Sequence, residues 1–256
     1  METFEIRFQP QMSIEFDDLM SKVSDLLAIW MKNGQIKRGS WPSAAWGRRG
    51  YRTFVSCPET NSLDEMFDNE YGKATRAELL KLNIRLTVHH IGEDPDTVSA
   101  CECPRPSWCL LWTNYVCQET PMRCGDCFGV LPLYRFPASY HGEFCDILWW
   151  ESNFQNCDQL QMLCQVGERF GTREISRADS SLTKSGRTIC QEWTERTGIP
   201  TYYYLYRYGG RSLATEQSRP CPGCGGAWLL PECLHGFLDM KCDACRLVSN
   251  ISWNCR

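Results

Sequence analysis

Apolar positions change period several times along the N-terminal third of the chain. FEIRF at residues 4–8 alternates one by one, as a strand with one face on a core does. Ile14, Phe16, Leu19, Met20, Val23, Leu26, Leu27 and Trp30 then recur three and four apart, the stripe of an amphipathic helix. Ser13 is placed to cap its start and Gly34 to end it. Residues 51–56 read as a second strand, residues 63–71 as a short helix, and the alternation of IRLTV at 84–88 as a third strand. Residues 92–95 form a turn signal. Residues 1–95 are therefore expected to be a small α+β domain of order strand–helix–strand–helix–strand.

Beyond that turn the pattern differs. A Trp-rich helical stretch is expected over about 143–165 and a further helix over 181–196, closed by Gly198 and Pro200. TYYYLYRY at 201–208 is dense in strand formers. The expected fold class is α+β, in three parts: the N-terminal unit, a central cysteine-rich, zinc-containing helical domain over 96–215, and a C-terminal zinc ribbon over 216–256.

Cysteine changes the picture most. The chain has 17 in 256 residues; only Cys57 precedes residue 101, seven lie between 101 and 145, and six in the last 40. The count is odd, and the sequence opens without a basic segment leading into an apolar stretch, so a disulfide framework is not expected. Metal for some thiols and burial for the rest is the better account in a reducing, cytoplasmic setting. No apolar run approaches the ~20 residues of a membrane span.

Cys221 and Cys224, seventeen residues, then Cys242 and Cys245 fit the spacing of a four-thiolate zinc site. Two thiolates on one tight knuckle can share an ion, and a second knuckle completes the tetrahedron. Four protein ligands leave no open position, so such a site is structural. Cys233 and Cys255 lie near enough to compete, but the four are complete without them. A second set is Cys101 and Cys103 with Cys124 and Cys127, with twenty residues between the inner pair and Cys109 and Cys117 as rival ligands. Cys57, Cys145, Cys157, Cys164 and Cys190 are expected in cores, where free cysteine commonly sits.

Enzyme signals are thin. Ser181 and Lys184 match S-x-x-K without its companion motifs, and a serine-capped helix start explains them better. His89 and His90 are adjacent and face opposite sides of a strand. His141 and His235 lie near cysteines but without a metal-binding histidine spacing. Phosphate-loop and dinucleotide glycine fingerprints are missing.

Charge weighs on the partner. Lys plus Arg is 27 against 31 Asp plus Glu, a net −4, poor footing for a protein that lives on phosphates. One local patch keeps nucleic acid in view: Lys37, Arg38, Arg48, Arg49 and Arg52, interleaved with Trp41, Trp46 and Tyr51. Residues 219–256 hold four basic and three acidic residues and have no basic face.

Longer motifs carry a resemblance. PMRCGDCFG at 121–129, PLYR at 132–135, DQLQM at 158–162, GR at 186–187, GIPTYYY at 198–204, RPCPGCG at 219–225 and KCDACRLVS at 241–249 resemble a bacterial family of zinc-ribbon-containing proteins of unknown function, some of them described as nucleic-acid-binding. The likeness spans roughly residues 100–253. It implies zinc at the four C-terminal cysteines and no catalytic residue. The expected function is a non-enzymatic, zinc-stabilised protein-binding module, most concretely an immunity protein that neutralises a cognate, basic bacterial toxin. Nucleic-acid binding is the alternative, and an enzyme with a reactive cysteine the third reading.

Overall fold

The computed structural model describes residues 1–39, 42–45, 50–139 and 142–256. The chain is mixed α and β, with two sheets, and divides into two compact units. One comprises Met1–Ala100, Gln118–Thr120 and Gly129–Leu148; the other comprises Cys101–Cys117, Pro121–Phe128 and Trp149–Arg256.

In the first unit the order is β1 (Glu2–Pro10), α1 (Phe16–Lys32), β2 (Ser43–Ala45), β3 (Tyr51–Cys57), α2 (Glu70–Lys81) and β4 (Ile84–Glu93). The antiparallel sheet runs β2-β3-β1-β4. Phe4, Ile6 and Phe8 of β1 stand opposite Val55, Thr53 and Tyr51 of β3. Their side of the sheet packs with Leu19, Val23, Leu26, Leu27 and Trp30 of α1, so the two apolar periods of the sequence meet in one core. Its polar hub is Asp68, which is buried and accepts from Trp30 Nε1 at 2.8 Å, from Gln35 Nε2 at 3.3 Å and from Arg76 Nε. A buried carboxylate so supplied with donors avoids the cost of an orphaned charge.

Several boundaries differ from the sequence reading. α1 starts at Phe16 behind Glu15, and Ser13 does not cap it; Asp17 and Asp18 place negative charge in its first turn instead. The second helix lies at 70–81, not 63–71, because the Asn69 side chain accepts from Gly72 N and starts the helix there. Residues 65–67 form only a single tight 3-10 turn.

The second unit contains β5 (Cys109–Leu111), β6 (Met122–Cys124), α4 (Glu168–Ser176), α5 (Ser181–Thr197), β7 (Thr201–Tyr204), α6 (Leu213–Gln217), β8 (Leu229–Leu234), β9 (Leu238–Cys242) and β10 (Leu247–Ser249), together with most of α3 (Cys145–Leu163). Its sheet runs β6-β5-β7-β10-β9-β8. β7 is central and parallel to both neighbours, β5 and β10. The ribbon strands thus continue the sheet of the central segment, and residues 216–256 share one compact unit with it. Trp193 of α5 and Tyr203 of β7 are wholly buried, with Leu110, Leu111, Leu247 and Val248.

Ser180, not Ser181, caps α5, its Oγ accepting from Thr183 N at 3.1 Å. Gly198 closes the helix in the left-handed conformation, as expected of a glycine at that place. β7 ends at Tyr204 rather than 208: Leu205 N still donates to Val248 O, but Arg207 N turns to the Asn250 side chain. Cys57, Cys157 and Cys190 are buried and Cys145 half-buried, whereas Cys164, at the end of α3 with φ +53°, is exposed.

Candidate metal centres

Both four-cysteine groups lie in the second unit, toward opposite edges of its sheet. In the first, β6 delivers Cys124 at its last residue, the turn after it delivers Cys127, and the segment before β5 brings Cys101 and Cys103. The four Sγ atoms lie within 4.8 Å of one another, Cys101 and Cys127 at 3.5 Å. In the second, Cys242 ends β9, Cys245 sits in the turn to β10, and Cys221 and Cys224 come from the knuckle before β8. Again all four Sγ fall within 4.8 Å, Cys224 and Cys242 at 3.7 Å. A tetrahedral ion with Zn–S near ~2.3 Å sets its sulfurs roughly 3.8 Å apart. The donor sets fit zinc, and four sulfurs fill its coordination.

Local backbone makes these cages. The residue after each C-x-x-C is left-handed: Phe128 at φ +63°, Gly225 at +73° and Arg246 at +53°. That turn folds amides back toward sulfur and carbonyl oxygen: Gly225 N donates to Cys221 O at 2.8 Å, Phe128 N to Cys124 O at 2.9 Å, and Gly223 N reaches Cys221 Sγ at 3.4 Å. Two inner positions require glycine for space. A Cβ on Gly125 would overlap the Trp108 indole, and one on Gly223 would lie 2.6 Å from Cys245 Sγ.

Burial favours the neutral form of most of these thiols, so an ion held here displaces their protons. Burial pushes the Cys101 thiol upward and Cys124 to about 11, while Cys245 is pushed to about 12. Cys224 alone goes the other way, to about 7, led by the Gly226 amide. Four thiolates this close repel one another unless a divalent ion compensates them.

The rival ligands are disposed elsewhere. Cys109 stands opposite Cys124 in the ladder, but it is wholly buried, its thiol pushed up to about 12, and it is outside the group. Cys117 receives Arg123 Nη2 at 3.1 Å. Cys233 and Cys255 also lie outside, with Cys233 beside Arg256 Nη2 at 3.9 Å. His235 is no ligand; its Nε2 meets Gly125 O at 2.8 Å and its ring stacks on Phe128. Position 235 carries no sequence signal of that role, which arises only when the β8–β9 turn meets the first knuckle. His89 and His90 are exposed on β4, His90 against Glu2 at 2.6 Å.

Of the basic patch, Trp41, Trp46, Arg48 and Arg49 lie outside the described residues, as does His141. Lys37 Nζ donates to Gln118, Arg38 Nη1 to Leu148 O, and Arg52 lies 3.8 Å from Glu5. Tyr51 is only 9% exposed, which removes its ring as a stacking platform. No helix among the described residues is long and apolar enough to cross a membrane.

Sequence models of three domains of unknown function match the chain: DUF8589 over residues 1–90, DUF2310 over 103–206 and DUF8594 over 210–255. An uncharacterized protein of Haemophilus influenzae is 38% identical over 229 residues, covering 88% of each chain. A second uncharacterized protein of that organism is 43% identical over 164 residues, 64% of this chain and 81% of its own. The solved structure of Rv0793 from Mycobacterium tuberculosis aligns with 37% of this chain and 98% of its own at 19% identity and a TM-score of 0.26, too low to carry any argument.

Proposed function

The chain belongs to the DUF2310 family, that of a domain of unknown function with uncharacterized Haemophilus influenzae relatives, and from that premise we propose that it is a non-enzymatic, zinc-stabilised protein-binding module. The observation that carries this is the closure of both cages. Each ion would be held by four sulfurs, with no vertex for water or substrate, and such zinc supplies folding free energy rather than catalysis. Six thiols outside the two groups support the same reading. Cys57, Cys109, Cys145, Cys157, Cys190 and Cys233 are all raised in pKa by burial, the reverse of an activated nucleophile. In its sharpest form the partner is a basic toxin domain, matched to a chain of net charge −4, and the protein is its immunity factor.

Two measurements test this. X-ray absorption on the purified, reduced protein should give two zinc ions per chain, each with an all-sulfur shell; a shell with three sulfurs and one light atom refutes the closed-cage reading. Co-expression with the toxic product of a neighbouring gene should restore growth, with a stable complex on gel filtration. Binding to nucleic acid that falls steeply with salt, and no protein complex, would transfer the case to phosphate recognition.

A further inference from the structure

A cavity of about 320 Å³ opens on the second unit, and none of the eight cage cysteines lines it. Its walls are mostly rings: Trp112 and Tyr115 from the loop after β5, Tyr206 beyond β7, Phe237 in the β8–β9 turn, and Trp253 near the C-terminus. Trp112 and Phe237 brace one another with centroids 5.7 Å apart. Trp253 is 55% exposed and leaves one side open. Two further lining residues, Asp158 and Met162, are the first and last of the DQLQM motif on α3, which the metal sites leave unused.

Among the described residues Asp158 is the only acidic one lining this cavity, and it is 7% exposed. One oxygen accepts from Tyr115 N at 2.8 Å, and among the described residues no Lys or Arg forms an ion pair with it. Burial raises its pKa, with the Tyr115 amide opposing. A carboxylate withdrawn from water without a counter-charge is costly, and a cation entering the cavity would offset that cost. Two guanidinium groups lie against wall rings of this cavity, and among the described residues neither forms an ion pair with Asp158. Arg256 stacks on Trp253 at 5.0 Å while pairing with Asp239 and donating to Gly236 O. Arg123 is wholly buried, 5.4 Å from the Trp112 centroid.

We propose that this cavity is a binding site for an alkylammonium group, with the aromatic rings supplying faces for cation–π contact and Asp158 the counter-charge. Ring faces attract a desolvated cation within about 6 Å, and quaternary ammonium groups suit them because their methyl groups also pack on apolar walls. The volume lies at the small end of ligand pockets, which run from roughly 300 Å³ upward. An anion would meet a buried carboxylate and be rejected. The inference stands independently of the protein-partner reading, since it concerns a small cationic group whether free or borne on a side chain.

The test is calorimetric titration of the zinc-loaded full chain with choline, with its neutral carbon analogue 3,3-dimethylbutan-1-ol, and with Nα-acetyl-Nε-trimethyllysine amide. Choline should bind at least about tenfold more tightly than the neutral analogue, the ratio equivalent to ~1.4 kcal/mol of cation-specific attraction. Asp158→Asn, which keeps an acceptor for the Tyr115 amide, should weaken choline severalfold more than the neutral analogue and leave the smaller preference that the ring faces supply. Tighter binding of the lysine derivative identifies a side chain as the natural source; tighter binding of choline identifies a free small molecule. No saturable heat with either cation, or equal affinity for choline and its neutral analogue on the unmodified chain, overturns the proposal without recourse to any variant.

Discussion

Replacing Cys221 and Cys242 together by serine takes one sulfur from each knuckle of the C-terminal cage and leaves the other cage whole. A structural zinc contributes about 10–16 kcal/mol of apparent binding free energy at neutral pH, against the roughly 5–15 kcal/mol that hold an ordinary domain together. The ribbon has little to set against that loss. β8 shows mostly exposed side chains, and the hairpin it forms with β9 rests on a short apolar face led by Leu238 and Met240. β5 and β7, by contrast, are interior strands of the sheet, with Leu110 and Tyr203 wholly buried, as is Trp193 of α5. Zinc content should therefore fall from two to one per chain. Hydrogen exchange should accelerate to near-unfolded rates in β8 and β9, while β1, β3 and β4 of the first unit, with their own core, remain protected. Refutation would be native protection of β8 and β9 with one zinc lost, since the ion would then not be what fastens the ribbon.

Gly125→Ala should cost about 1–3 kcal/mol, read from denaturant unfolding, because the new methyl overlaps the Trp108 ring and the first knuckle must open to admit it. Glu216→Ala should cost about 3 kcal/mol, because its fully buried carboxylate pairs with Arg207 and lies 3.8 Å from Arg219. Burial raises the Glu216 pKa but the Arg207 hydrogen bond and charge outweigh it, so the folded value is lowered. Its contribution is accordingly full above the unfolded carboxyl range near ~4.3 and is lost as pH falls through the folded value, so acid unfolding should begin at higher pH once Glu216 is replaced. Brief alkylation of the native, zinc-loaded chain should label exposed Cys164 ahead of buried Cys57, Cys109 and Cys190 by mass spectrometry; fast labelling of a buried thiol would mark the activated nucleophile that the proposed function excludes.

Apolar periodicity located β1, α1 and β4, because each buries one face and so repeats at its own pitch, while composition and the Gly198–Pro200 ending pointed to α3 and α5. Cysteine spacing alone nominated the eight thiols that the fold brings into two groups, since a metal knuckle is a local chain geometry. Other features were decided only in three dimensions. Asn69 moved a helix start by a side-chain bond that outweighed the apolar pattern of residues 63–71. β7 stopped at Tyr204 because strand length follows from the neighbours available, not from tyrosine content. Cys109 and Cys117 could be parted from Cys101 and Cys103 only by the fold, which buries one and gives Arg123 to the other. Asp158 and seven rings from several segments meet in one cavity by tertiary packing, and no spacing rule reaches across such distances along the chain.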